Sequence, residues 1–279
     1  MIKIVTDSTS DIPKTIAEEY DIYVVPCFVN FGSTSFLDGV DITRSEFYAR
    51  LPDSTPLPTT SAPNIDMFIN AYRKLAREGI KQIFSVHVSG TLSSTVNVAR
   101  IAAREVKDLV EVIIHDSGQL SLGVGRQVIS AALAAIQNCD LPEIHSLLKD
   151  KAESTYTFAS LETLEYLKRS GRLNQIQFRL GTLLDIKPVI RLHQGILDFD
   201  MVRTRTKSIA NMIKKVNALG HLETIDIVHT NAFKKVNQVK EMAKSIIPET
   251  NTQMIETATS AIGTHIGPNA VGVVCTIGA

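Results

Sequence analysis

The chain has 279 residues, with 29 basic and 29 acidic side chains and a formal net charge of zero. A protein held to duplex nucleic acid by many phosphate contacts, or to a membrane surface by a polybasic segment, carries a basic excess or block, and neither is present. At 44% hydrophobic and 21% charged the composition is that of a globular chain, and a prior of roughly 150 residues per domain points to two domains.

In chain order, residues 2–5 are a short apolar run closed by Thr6, Asp7 and Ser8, and read as a strand. The segment after them predicts a helix capped by Ser10 or Asp11, with Pro13 in its first turn. Residues 22–31 predict a strand and residues 32–39 a polar connection. Residues 43–51 fit a short helix, with Phe47 and Leu51 four apart. Residues 52–63, rich in Pro, Ser and Thr, read as an ordered loop. Ile65, Phe68, Ile69 and Tyr72 then mark one face of a helix. A strand is expected at 81–88, a helix starting at Ser89 and running to 103, a strand at 110–114 and a long apolar helix at 120–136. This alternation argues for a mainly parallel sheet flanked by helices. The second half reads differently: a short helix at 162–169, a hairpin within 183–200 around His193, Gln194 and Gly195, helices at 206–219 and 232–247, and strands at 224–228, 252–255 and 271–276. It predicts an α+β domain, with a boundary near residue 155 dividing domains 1–155 and 156–279. No apolar run reaches the ~18–20 residues of a membrane span. The start turns polar after Val5 and does not read as a signal peptide, so the expected address is cytoplasmic. Cys27, Cys139 and Cys275 form no CxxC pair and no disulfide framework.

Ligands of open parallel sheets bind at the carboxyl ends of the strands. Several expected ends carry small hydroxyl residues: Thr6-Asp7-Ser8, Ser89-Gly90-Thr91 and Asp116-Ser117-Gly118, with Thr59-Thr60-Ser61 just before a helix. At a helix start, free N–H groups and the dipole favour an anion, so these positions could hold a carboxylate or phosphate. Each could equally cap its own helix. A Ser-His-Asp hydrolase is the sharper alternative, but no GxSxG elbow is present. There is also no GxxxxGK[ST] loop and no GxGxxG, and the seven histidines show no metal-ligand spacing. Arg169-Ser170-Gly171-Arg172 is a basic helix end or a functional group. Arg203, Arg205 and Lys207 form a solvated face or dock an anionic partner. His265 sits in what reads as a glycine-framed turn, residues 262–268.

Taken together and in order, these segments resemble the DegV family of bacterial fatty-acid-binding proteins. The matching runs are TDSTSDIP (6–13), PTTSAP (58–63), SGT (89–91), DSG (116–118), LEYLKRSGRL (164–173), KPVI (187–190) and IGTHIGPNAVGV (262–273). The resemblance implies an α/β domain followed by an α+β domain, with a long-chain fatty acid in a tunnel between them. It puts the carboxylate on Thr60 and Ser89, with Ser61, Gly90 and Thr91 as neighbours and His265 near the head group. It implies a non-catalytic carrier, without cofactor beyond the bound acid, that presents its ligand to a separate ATP-dependent fatty acid kinase for acyl phosphate formation. Arg172 and Arg203 would then face the partner or the head group. The chain has Leu92 where the family often has tyrosine, His87 in a run that is usually small, and Asn269 for a common glycine; these bear on acyl-chain preference. The other reading is a serine-dependent hydrolase or phosphotransferase acting on a lipid or acyl substrate, using His87, His115 or His265.

Overall fold

The computed structural model describes residues 1–172, 187–249 and 252–278. The first half runs β1 (Ile2–Asp7), α1 (Lys14–Glu19), β2 (Tyr23–Val25), β3 (Phe28–Phe31), β4 (Thr34–Leu37), α2 (Arg44–Arg50), β5 (Thr59–Ser61), α3 (Ile65–Arg77), β6 (Gln82–His87), α4 (Thr95–Glu105), β7 (Glu111–Asp116), α5 (Leu122–Ile136) and α6 (Leu141–Ser154). The second half runs β8 (Thr155–Ser160), α7 (Glu165–Arg169), β9 (Lys187–His193), β10 (Ile196–Val202), α8 (Arg205–Asn217), β11 (Leu222–His229), α9 (Phe233–Ala243), β12 (Ile255–Thr257), α10 (Ser260–Ile266) and β13 (Val271–Ile277).

The first sheet has the order β2-β1-β6-β7 and all of its pairings are parallel. Its alternation places helices on both faces, as the strand–helix rhythm predicts. Phe84 and Val86 of β6 pack with Val124, Val128, Ile144 and Leu148 from α5 and α6. Ile83 points the other way, to Phe68, Tyr72 and Leu75 of α3 and Ala99 and Ala102 of α4. The second sheet has the order β10-β9-β8-β13-β11-β12, antiparallel except for β11 with β12. Its odd-numbered residues Val271, Val273, Ile225 and Ile227 face α8 and α9 through Met212 and Val239. Val228 and Val274 face inward, to Leu122 at the start of α5 and Ile262 of α10. Helix α5 therefore packs against both sheets. Fully burying a Val, Leu, Ile or Phe side chain in this way contributes about 1.5–3 kcal/mol relative to exposure.

Several sequence expectations change. The strand over 22–31 is two strands in different sheets, split at Pro26, whose missing N–H cannot continue a ladder. Residues 32–39 are not a simple connection: Gly32 and Ser33 turn the chain into β4, which pairs with β3, and β5 completes a small antiparallel sheet within the expected loop. The helix expected from Ser89 starts at Thr95, behind Ser94. The turn expected at 262–268 is mostly the last part of α10. Strand β8 had no counterpart in the sequence reading. The expected hairpin forms, with Gln194 and Gly195 both at positive φ (47° and 75°), the requirement of a type I′ turn; its expected start at 183–186 lies outside the described residues.

The two halves are joined by polar contacts. Arg126 on α5 grips buried Asp226 on β11 with Nε and one terminal nitrogen, both at 2.6 Å. Arg44 reaches Glu256 at 3.2 Å, and Lys151 reaches Glu223 at 2.6 Å. The buried carboxylate of Asp38 accepts from Ser8 Oγ (2.9 Å) and from the Ser260 and Ala261 amides at the start of α10 (3.0 and 3.3 Å). Asp11 accepts from the Thr259 amide at 2.7 Å. Burial holds both aspartates above the usual carboxylate range. Helix α10 is thus capped by side chains from the other half of the chain.

Candidate ligand site

Between the sheets lies a cavity of about 330 Å³. Leu92, Leu120, Leu167, Ile190, Leu197 and Ile262 give it apolar walls drawn from both halves. Its polar lining includes Thr60, Ser61, Ser93, Ser94, Arg172 and His265. Thr60 lies on β5, paired across from Val29. Its Oγ1 shares a hydrogen bond with Nε2 of His265 at 2.7 Å. His265 is in the last turn of α10, held there by the Asp38 cap and by the close packing of α10 on α2. A Cβ on Gly263 would lie 2.5 Å from the Tyr48 hydroxyl oxygen and 2.8 Å from a Phe47 ring carbon, so this contact admits only glycine. Burial, with the nearby positive charge of Arg172, pushes the His265 pKa down to about 3, so its imidazole is neutral near pH 7. His265 Nδ1 is buried without a partner among the described residues. Cys27 also lines the cavity as a free thiol, and burial, reinforced by Asp7 and Asp38, raises its pKa well above the ordinary value.

The cavity thus brings together Thr60, Ser61, His265 and Arg172, and leaves out Ser89, Gly90 and Thr91. Neither hydroxyl group stands at a helix start. Thr60 and Ser61 are strand residues ahead of Asn64, which caps α3 through Met67 N. Ser89 to Thr91 form a separate latch. Asp116 accepts from the Gly90 amide and from the Gly118 amide, each at 3.1 Å. Thr91 Oγ1 donates to the Gly195 carbonyl at 2.8 Å, and the Gly195 amide donates to the Gly118 carbonyl at 2.8 Å. The SGT and DSG motifs therefore fasten the hairpin tip to the carboxyl edge of the parallel sheet. The hydroxyl residues that reach the cavity from this segment are Ser93 and Ser94, which the sequence reading missed. Their signal is the apolar helical period Val96, Ala99 and Ala102, which starts just after Ser94.

The hydrolase reading meets a concrete arrangement. His87 Nδ1 donates to Asp7 Oδ2 at 2.9 Å, and His87 Nε2 lies 2.8 Å from Ser85 Oγ. Yet all three side chains are fully buried, Ser85 Oγ is bonded to the Tyr72 hydroxyl at 3.0 Å, and neither Ser85 nor His87 lines the cavity. The chain holds the cavity wall instead: Asp7 also accepts from Thr9 N (3.0 Å), Thr9 Oγ1 and Val88 N (3.3 Å), and Thr9 and Val88 both line the cavity. His115, buried, bonds Gln127 Oε1 at 3.0 Å, and burial lowers its pKa to about 4. No group of residues suited to a metal ion occurs among the described residues, and no helix there is long and apolar enough to cross a membrane.

Arg203, Arg205 and Lys207 are exposed. Arg205, with Lys187 and Lys235, converges on Glu162. Burial alone would raise the Glu162 pKa, but hydrogen bonds from these three cations outweigh it and bring it down to about 2. A carboxyl lowered in the folded state stabilises above its unfolded pKa of 4.5 and loses that contribution as pH falls through about 2. Chemical-denaturant midpoints measured between pH 5 and 2 are therefore expected to fall less steeply in Glu162→Gln than in the unaltered protein. Equal slopes would show that the cluster does not hold the carboxylate.

Two packed sheets thus enclose an apolar cavity with a few hydroxyl and nitrogen groups, the setting in which folded chains commonly hold small molecules. The chain belongs to the DegV family: the family model described as "Uncharacterised protein, DegV family" matches residues 1–277. A DegV domain-containing protein of Streptomyces coelicolor is 31% identical over 276 residues, 98% of this chain and 97% of that protein. One from Staphylococcus aureus is 32% identical over 275 residues, 97% of each. Among solved structures, a DegV family protein of Thermus thermophilus described for its fatty acid binding matches with a TM-score of 0.88, 30% identity and 99% coverage of both chains. DegV of Bacillus subtilis, described as a fatty acid binding protein, matches with a TM-score of 0.88 and 25% identity, again over 99% of both.

Proposed function

We propose that this protein binds a long-chain fatty acid in the cavity between its sheets and presents it to a separate ATP-dependent fatty acid kinase for acyl phosphate formation. The observation that carries this reading is the cavity itself: aliphatic walls, with Thr60, His265 and Arg172 on one shared polar side. An acyl chain gains about 0.8 kcal/mol for each CH₂ it buries there. A neutral His265 that donates Nε2–H to Thr60 leaves the threonine O–H to donate to the carboxylate, and Ser61, Ser93 and Ser94 add further donors. Arg172 supplies the positive charge. Ser89, Gly90 and Thr91 support the site by fixing the hairpin rather than by touching the ligand. The fatty acid binding described for the Thermus and Bacillus relatives supports the same reading.

Lipid extraction of the purified protein followed by mass analysis is expected to release a fatty acid. Absence of any acyl chain, together with failure to bind added hexadecanoic acid, would sink the proposal. Arg203 is exposed and lies outside the cavity lining. Arg203→Ala is expected to keep fatty acid affinity within about two-fold while slowing kinase-coupled acyl phosphate formation. An unchanged coupled rate would remove Arg203 from the partner surface.

A further inference from the structure

The buried Asp7–His87–Ser85 chain stands outside the cavity, but its carboxylate holds two residues that line it. Strands β1 and β6 are parallel neighbours, and Thr9 and Val88, just beyond their carboxyl ends, both face the cavity. Asp7 closes β1 between them. Its Oδ1 accepts from the amide and the hydroxyl of Thr9, and its Oδ2 accepts from the Val88 amide at 3.3 Å and from His87 Nδ1 at 2.9 Å. One carboxylate thus ties Thr9 to Val88 across the sheet. His87 is itself fixed in place. Phe68 of α3 meets its ring edge-on, with centroids 5.1 Å apart, and Ser85 Oγ lies 2.8 Å from its Nε2. One turn further along α3, the Tyr72 hydroxyl holds Ser85 Oγ at 3.0 Å. In the order Tyr72 O–H to Ser85 Oγ, Ser85 O–H to His87 Nε2 and His87 Nδ1–H to Asp7, each donor has one acceptor.

We infer that His87 is a positioning residue for acyl-shape selectivity: by orienting Asp7 it holds Thr9 and Val88 together and keeps the cavity narrow enough to favour a straight acyl chain over one bent by a cis double bond. The inference rests on the fatty-acid reading and adds to it a residue that selects among fatty acids. Two features favour it. The two wall segments cannot spread without leaving a buried carboxylate short of a donor, which is strongly unfavourable. A wall held that way keeps its width, and a tightly packed interior takes in a wider shape only with strain. Removing the His87 donor frees Asp7 to turn, so the tie between Thr9 and Val88 slackens and the bent chain gains relative to the straight one.

The test titrates hexadecanoic acid and cis-9-hexadecenoic acid as competitors of a fluorescent fatty acid, on the unaltered protein, His87→Leu and His87→Asn. Leucine removes the donor to Asp7, and asparagine keeps an N–H near the position of Nδ1. The ratio of the two affinities, straight over bent, is expected to fall about five-fold in His87→Leu and to return to within about two-fold of the unaltered value in His87→Asn. A purely structural role would weaken both acids by one factor; a ratio that stays unchanged, or rises, in His87→Leu would overturn the inference. So would His87→Asn behaving as His87→Leu does. Should His87→Leu not fold, Thr9→Val decides, because it removes the hydroxyl bonded to Asp7 and keeps the shape of the side chain. There the ratio is expected to fall about three-fold, and an unchanged ratio would overturn the inference. In each of these failures both acids still bind, and the fatty-acid reading stands. If neither acid binds the unaltered protein, both fall.

Discussion

Arg126→Ala is expected to destabilise the protein by about 3–5 kcal/mol, because it strips a fully buried carboxylate of its charged partner. Asp226 has no exposed side-chain surface, and Arg126 satisfies both of its oxygens while also bonding the Thr252 carbonyl. After truncation, among the described residues only the Met254 amide would remain on the carboxylate, at 2.8 Å. The pair joins α5 to the second sheet, so its loss also loosens one wall of the ligand cavity. Urea unfolding followed by circular dichroism measures the effect. Asp226→Asn combined with Arg126→Met is expected to recover much of the loss, since the buried charge is then gone. A single-variant loss below about 1 kcal/mol would place the pair with ordinary surface salt bridges.

Thr60→Val is expected to weaken fatty acid binding by about 1–3 kcal/mol, or roughly 5- to 150-fold in Kd, while leaving the fold unchanged. Valine keeps the shape of threonine but removes the hydroxyl that connects His265 Nε2 to the cavity. Because the pKa of His265 is held at about 3, the imidazole stays neutral over the ordinary working range and binding should not track a histidine titration near pH 6.5. The discriminating comparison is Ser89→Ala. Its hydroxyl lies in the hairpin latch, 2.9 Å from Thr91 Oγ1, and outside the cavity lining. Its affinity should therefore remain within about two-fold of the unaltered protein. Fluorescent fatty acid displacement measures both variants. A large loss in Ser89→Ala with none in Thr60→Val would reverse the assignment of the carboxylate site.

The contrast between these two hydroxyls shows where local pattern stops being informative. Both sit in Ser/Thr-rich segments ahead of a helix, and both look like helix-start anion sites. Sequence spacing cannot tell that α4 waits until Thr95, because the residues between spend their hydrogen bonds on Asp116 and on a hairpin about a hundred residues away. The same limit explains the misread segment around His265. Two glycines and a proline suggest a turn, but Asp38 and Asp11 supply the missing caps from distant loops and make a short helix possible.

What the amino-acid order determined by itself was the periodic part: the parallel α/β half, the α+β half, the hairpin around His193 to Gly195 and the positions of the buried faces. Those follow from forces between near neighbours and from burial patterns repeated every two or 3.6 residues. The long-range motif order also carried the family. The tertiary structure alone decided which polar residues share a space. It left Ser89 out of the cavity lining, brought in Ser93 and Ser94, put Thr60 2.7 Å from a histidine 205 residues later, and sealed the Asp7–His87–Ser85 chain in the core. A site is made by side chains that converge from separate elements, and convergence depends on packing that no local spacing encodes.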